Sequence, residues 1–310
     1  MRKKRAALTS VFYAFSGGAF LLCLLARGDV CLPAARDALR YCGESLIPAL
    51  FPFIAAGGIL MGSGAAELTA GTVGRAARRF FRIPPSLCAP YLIGLVAGFP
   101  SGAAAVARVY ANGGCTKDDA ERALPAVSNA GAGFVCAGIG SLLGGIRYGA
   151  AIYAAQTVIS LAAARILFRR SEHKEYPRSG PSVASGTFTQ SVKSAAIAVI
   201  NVCAFAVFFA PVSALAVRGL EYAGASGAVK AAAASVLELT NGARTAALLS
   251  PPLSAAVCGF AASWSGLCVA AQISSVAADA GLSMKYYFPC KLISGAVCGI
   301  CVYAASVLFF

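Results

Sequence analysis

Long apolar runs make up most of this chain, and the polar residues that interrupt them fall at a few repeated places. A first run covers 7–26, behind the basic start Met1-Arg2-Lys3-Lys4-Arg5. A polar connector with Arg27, Asp29, Arg36, Asp37 and Arg40 leads to a second run at 45–61. Others cover 87–110, 123–145, 148–168, 191–210, 226–249, 253–276 and 288–310. The longer ones approach or reach the roughly 20 residues with which a helix crosses a ~30 Å hydrocarbon core. The pattern predicts an all-α polytopic membrane protein.

Two runs are broken in the same way. Gly98-Phe99-Pro100-Ser101-Gly102 interrupts the first, and Ala262-Ser263-Trp264-Ser265-Gly266 interrupts the second. In each, the Ser-Gly pair is followed 24 residues on by a proline-led segment, Pro125 to Gly131 or Pro289 to Gly295. Paired broken segments in corresponding halves point to the binding site of a secondary transporter. The Gly98 break leaves two arms of about ten residues, each roughly 15 Å long, half the hydrocarbon core. That suits a re-entrant helical hairpin, with a full kinked span as the alternative.

The organisation expected is therefore an inverted repeat with two broken hairpins. Residues 1–41 hold the first span and connector, and 42–168 the first repeat, with its hairpin near 88–111. Residues 169–186 form a polar linker containing Glu172, His173, Lys174, Glu175 and two prolines. Residues 187–310 form the second repeat, with its hairpin near 253–276. In 67–83, Arg75, Arg78, Arg79 and Arg82 recur at helical spacing, which predicts a basic helix along a membrane surface.

Composition agrees. The chain is 58% hydrophobic and 12% charged, with a mean hydropathy of +0.74, whereas soluble domains carry about a quarter charged residues. The net charge of +14 is not a nucleic-acid signal, because the basic residues cluster at the ends of apolar runs. With both broken segments as hairpins, 17 of the 26 Lys and Arg fall on one side of the membrane. The positive-inside rule makes that side cytoplasmic and places both termini there. The first run lacks a clear small-residue cleavage site, so it reads as an uncleaved span rather than a signal peptide. The twelve cysteines are dispersed through apolar runs as small packing residues, and Cys298-Gly299-Ile300-Cys301 has no second pair or histidine beside it.

Candidate chemistry gathers at the breaks. Backbone released by a break in lipid is tolerated only when buried in protein or lining a polar cavity. Gly98, Gly102 and Gly266 permit turns, Pro100 removes a donor, and Ser101, Ser263 and Ser265 add hydroxyls. Half-helix amino termini there could hold a carboxylate or phosphate. The competing reading is a glycine-rich kink that eases helix packing. Ser128 and Asn129 could bind solute or satisfy released backbone. Glu238, Thr240 and Asn241 form the most polar cluster of the second half, suited to a coupling cation or proton and to solute, or to an interfacial helix. Lys291, close to the start of the last run, could attract an anion, but so near a segment end it reads as a snorkelling side chain. Gln156, Asn201 and Gln272 read as isolated packing amides. The one histidine, His173, lies far from the breaks, so neither a serine nucleophile nor a metal site is indicated. No enzyme activity, cofactor or metal is expected.

These residues resemble the nucleoside-recognition, or Gate, domain superfamily, and within it the YlbJ-type sporulation integral membrane proteins. That family's pattern reads G-[YF]-P-x-G-A, then E-A-E-R, then an Asn-rich turn. It is matched by Gly98-Phe99-Pro100-Ser101-Gly102-Ala103, by Asp118-Asp119-Ala120-Glu121-Arg122 and by Ser128-Asn129-Ala130-Gly131. Glu238-Leu239-Thr240-Asn241-Gly242 resembles its E-x-T-N-G, and Ser265-Gly266 with Gln272 continues the likeness. Ala104 stands where a basic residue is common, and Ser128 and Gly-Ala-Gly replace a second Asn and a Pro. The resemblance implies an inverted-repeat transporter domain in a bacterial cell membrane or outer forespore membrane. It also implies movement of a small organic anion, dipicolinate, during sporulation. A non-transporting scaffold for the spore envelope and a nucleoside transporter are the alternatives. The expected partners are that anion, the lipid bilayer and a coupling cation or proton.

Overall fold

The computed structural model describes residues 2–63, 73–171 and 187–309, without the side chains of 2–13, 61 and 170. Among the described residues every regular element is a helix. A helix pairs its backbone groups within one segment, which is what a hydrocarbon surrounding demands. Among the described residues, five segments are long and apolar enough to cross a membrane: Gly28–Leu60, Ile146–Leu167, Thr187–Tyr222, Pro251–Asp279 and Tyr287–Phe309. The linker expected at 169–186 lies, from residue 172 on, outside the described residues.

Helix α1 (Arg2–Ala26) exposes Phe15, Leu21, Leu22 and Leu25. The expected polar connector is itself helical. It forms α2 (Gly28–Tyr41), which continues through a π turn at Cys42–Leu46 into α3 (Ile47–Gly62). Asp29 in its first turn and Arg40 in its last complement the helix dipole, and Arg40 bonds Glu44 one turn on at 2.7 Å. Asp29, Arg36, Asp37 and Arg40 lie on one exposed face of this helix. The basic helix α4 (Gly74–Phe81) is tied to the end of a later helix, where Arg165 donates to Phe80 O and Arg82 to Arg169 O.

Helices α5 (Cys88–Val96) and α6 (Ser101–Ala111) fold back on each other, with Gly94 and Gly102 letting the arms touch. Helix α7 (Lys117–Val127) starts where Thr116 Oγ1 accepts from Asp119 N, with Asp118 and Asp119 in its first turn. The apolar run over 123–145 breaks at 128–131, where the Asn-rich turn was expected from the resemblance. It resumes as a π turn at Phe134–Ile139 and the short α8 (Gly140–Leu142) before α9 (Ile146–Leu167).

The second half differs from expectation in one important respect. Helix α10 (Thr187–Tyr222) is a single 36-residue helix against α2 and α3. The pair that then folds back is α11 (Gly227–Leu237) with α12 (Leu239–Ala246), which meet where Gly242 sits against Ser235. Helices α13 (Pro251–Trp264) and α14 (Gly266–Asp279) splay apart at Ser265 and do not pack along each other. The hairpin expected near 253–276 is thus an opened, broken helix, and the second hairpin lies one step earlier. The partner surface that folding back would need is already occupied. Helix α13 packs along α15 (Tyr287–Phe309), where Gly295 and Gly299 lie against Phe260 and Ala256.

One end of the molecule is clasped by polar contacts between the halves. Lys285, just before α15, bonds Asp118 Oδ1 and Glu121 Oε2, each at 2.9 Å. Tyr286 OH donates to Asp118 Oδ1 at 3.0 Å, and Ser283 N donates to Glu121 Oε1 at 3.0 Å. Arg122 donates to Asp118 Oδ2 and lies over the Tyr286 ring at 4.8 Å.

Candidate functional site

Each hairpin tip rests on a helix break of its own half. At the first tip, Gly98 has φ +78, and a Cβ there would lie 2.6 Å from Gly131 N. A left-handed backbone and close approach together leave room only for glycine. Phe99 N donates to Asn129 O at 3.0 Å, which ties the tip to the 128–131 break. At the second tip, Trp264 Nε1 donates to Val236 O at 3.1 Å. Gly266, at φ +82, places its α-carbon against Leu237, Glu238 and Leu239.

The carbonyls released at the first break find donors one by one, as buried backbone requires. Ser128 Oγ donates to Leu124 O at 2.6 Å, and Asn129 Nδ2 to Ala126 O at 2.7 Å. Gln156 Nε2 donates to Ala130 O at 2.7 Å. Tyr91 OH and Ser160 Oγ, 2.6 Å apart, extend the network, in which Ser160 also reaches Ala126 O. The remaining donor is charged. Lys291 Nζ, on α15, donates to Ser128 O at 2.6 Å with the side chain 1% exposed. The lysine read as snorkelling therefore points inward, because α7 ends there and presents a carbonyl that needs a donor.

The second tip has the opposite polarity. Glu238 is the N-cap of α12, and its carboxylate accepts from Thr240 N at 2.9 Å and Asn241 N at 2.7 Å. The helix amino terminus that could have held an external anion is filled by the chain's own carboxylate.

A cavity lies between the two tips. Its walls are Leu46 and Leu50 from the α2–α3 segment, Val202 and Ala206 from α10, and residues of both modules. Phe99, Gly131 and Phe134 come from the first, with Glu238, Leu239, Thr240, Cys268, Val269 and Gln272 from the second. Its water-sized space is ≈30 Å³, enough for about two waters and too small for an organic solute. Gln272 is 4% exposed, and its Oε1 has no hydrogen-bond partner among the described residues.

Of the residues singled out in the sequence, Glu238 and Thr240 line this cavity. Gly98, Pro100, Ser101 and Gly102 build the first tip behind Phe99, with Gly102 against Val127 and Ser101 Oγ buried and unpartnered. Ser128 and Asn129 are consumed in satisfying the first break. Ser263 is buried in the last turn of α13, while Ser265, at φ +75, turns its hydroxyl to Ala262 O at 3.3 Å. Asn241 contributes its backbone N–H to Glu238. Phe99, Phe134 and Gln272 were missed as lining residues. Gln272 stands two turns after Ser265, on the same helix face, and that spacing was the available signal.

Comparisons of the chain with family models, with curated proteins and with solved structures each find no match.

Proposed function

We propose that this chain is a membrane transporter or facilitator for a small planar organic solute. The solute would be held between the tips of two oppositely entering hairpin-and-break modules. The observation that carries the reading is the shared cavity. Two separately broken modules, one from each half, supply its ends, and long helices supply its walls. Irregular backbone at such depth fits a solute path, because packing alone is served by unbroken helices. Phe99 and Phe134 are aromatic lining residues suited to a flat ring, and Thr240, Gln272 and Glu238 bring polar groups to the same lining.

Dipicolinate, the cargo suggested by the family resemblance, is flat and heteroaromatic and suits those walls. No Lys or Arg lines the cavity, and Glu238 already places a carboxylate there. Two ionised carboxyl groups in so dry a place repel strongly. An acidic solute therefore enters together with a proton, carried on itself or on Glu238. The cleft widens to admit it by movement of one module against the other. The stacking walls support a nucleoside as the second candidate.

Uptake by proteoliposomes of purified protein tests the reading. Labelled dipicolinate should accumulate faster with an inward proton gradient and slow when a protonophore is added. Gln272→Leu and Thr240→Val should reduce the rate at least about tenfold, because each removes a polar contact from a desolvated site. If these variants insert normally and transport at the wild-type rate, the site is misplaced. If adenosine or uridine moves and dipicolinate does not, the second candidate replaces the first.

A further inference from the structure

Lys291 is buried in the interior without an opposite charge. It takes part in none of the ion pairs among the described residues. Removing an ammonium group from water costs several kcal/mol unless its new surroundings ligate it. Here the ligand is Ser128 O, at 2.6 Å, where the carbonyl dipoles of α7 converge. Donors for the neighbouring released carbonyls are neutral groups of the first half: Ser128 Oγ, Asn129 Nδ2, Gln156 Nε2 and Phe99 N. Lys291 alone brings charge, and it comes from the other half. Among the described residues, three buried oxygens of α6, α9 and α15 also lack partners: Ser101 Oγ, Gln156 Oε1 and Tyr287 OH, the last one turn before Lys291. Unwound carbonyls and the carboxyl ends of half-helices are the chemistry that holds Na⁺ in broken-helix membrane proteins.

We propose that the Lys291 ammonium is a tethered cation. It occupies the carbonyl end of α7 that a free alkali ion would otherwise fill, so this break needs no inorganic cation. The fit accounts for a lysine pointing inward where reaching for the membrane surface is easy. It also accounts for an α15 residue bonding a break in the first half. Replacing the ammonium with an apolar group uncovers a site for Na⁺ or K⁺. This assignment stands apart from the solute reading; only its corollary, that uptake proceeds without Na⁺ or K⁺, rests on that reading.

Thermal unfolding of the full chain in detergent, in choline chloride, NaCl or KCl at equal ionic strength, tests it. The wild type and Lys291→Arg should unfold at the same temperature in all three salts. Lys291→Met should unfold at a lower temperature in choline. Its midpoint should then rise saturably with Na⁺ or K⁺, by roughly 2 °C at about ten times the dissociation constant. Saturable stabilisation of the wild type by Na⁺ or K⁺ overturns the proposal, as does a Lys291→Met midpoint that is equal in all three salts. If neither variant folds, the wild type decides alone. Salt-independent unfolding then sustains the proposal, and saturable stabilisation overturns it. Absent uptake with the expected salt pattern removes the solute reading and leaves the tethered cation in place.

Discussion

Glu238 shows how one residue combines stability and site chemistry. Its carboxylate caps α12 through two backbone N–H groups while lining the cavity between the tips. Glu238→Ala should destabilise the protein by about 1 kcal/mol through loss of the cap, measured as a lower unfolding midpoint. Glu238→Asp should retain much of that stability, because its shorter carboxylate is also a good N-cap, yet alter uptake by withdrawing charge from the cavity. Equal stability of Glu238→Ala and wild type would show that the cap is unimportant. The polar character of Glu238, Thr240 and Asn241 was legible in the sequence, but not that the first would bond to the backbone of the other two. Lys291 was misread because sequence position alone shows its distance from a run's end, whereas its direction depends on which carbonyl lies opposite. Gln272 was passed over for a related reason. A single amide in an apolar run looks like a packing contact until a cavity is seen in front of it.

At the scale of elements, the paired breaks were visible and their partners were not. The sequence placed 98–102 opposite 262–266, since both are Ser-Gly breaks in apolar runs. In the fold the first tip rests on the 128–131 break, and the 264–266 break receives the tip at 237–241. A break says that the helix stops. Whether the chain then reverses depends on which surface awaits the second arm. Ser265 adds a local test, since it adopts φ +75, a conformation that disfavours any side chain and β-branched ones most. Ser265→Gly should be neutral or slightly stabilising. Ser265→Val should cost roughly 1–3 kcal/mol, read as a loss of unfolding temperature. A tolerated valine would mean that the break relaxes, and the splay of α13 from α14 would need another cause. The connector at 28–41 carries a similar lesson: its spaced charges read only as a polar connector, and in the fold they decorate one face of α2.

For the whole molecule, the clasp links stability to pH. Burial works to raise the Asp118 pKa, but hydrogen bonds from Lys285, Arg122 and Tyr286 outweigh it and hold the group at about 2. Glu121 is also lowered, by Lys285 and the Ser283 N–H against the opposing effect of burial. Lys285 is raised, chiefly by hydrogen bonds to Glu121 and Asp118. A lowered acid contributes stability that is fully present above its unfolded value, 3.8 for Asp118, and is lost as pH falls toward about 2. A raised lysine contributes below its unfolded value, 10.5, and loses that contribution as pH climbs past its folded value. The wild type should therefore unfold at a higher temperature than Asp118→Asn at pH 7, with the difference shrinking between pH 4 and 2. A constant difference would show that Asp118 acts by packing alone. The clasp places Lys285 at the same end as 117–122. Helix α15 then runs about 34 Å away from that end. With Arg75–Arg82 cytoplasmic, we predict a carboxyl terminus on the opposite face, to be tested by impermeant labelling of a cysteine added after Phe310. Labelling only after the cells are opened would restore the expectation that both termini are cytoplasmic.

The sequence by itself determined the helical class, the apolar segments and the two Ser-Gly breaks. These follow from local chemistry: hydropathy over a span length, glycine and proline where the ladder breaks, and charge where water is near. Tertiary structure decided which break meets which tip, which way Lys291 points, and that Phe99, Phe134 and Gln272 face one cavity with Glu238. Those are contacts between residues far apart in the chain. A released carbonyl or a carboxylate can be satisfied by any of several donors, and only packing selects among them. The matched Ser-Gly breaks recorded that two helices end, and the fold decided what each ending is for.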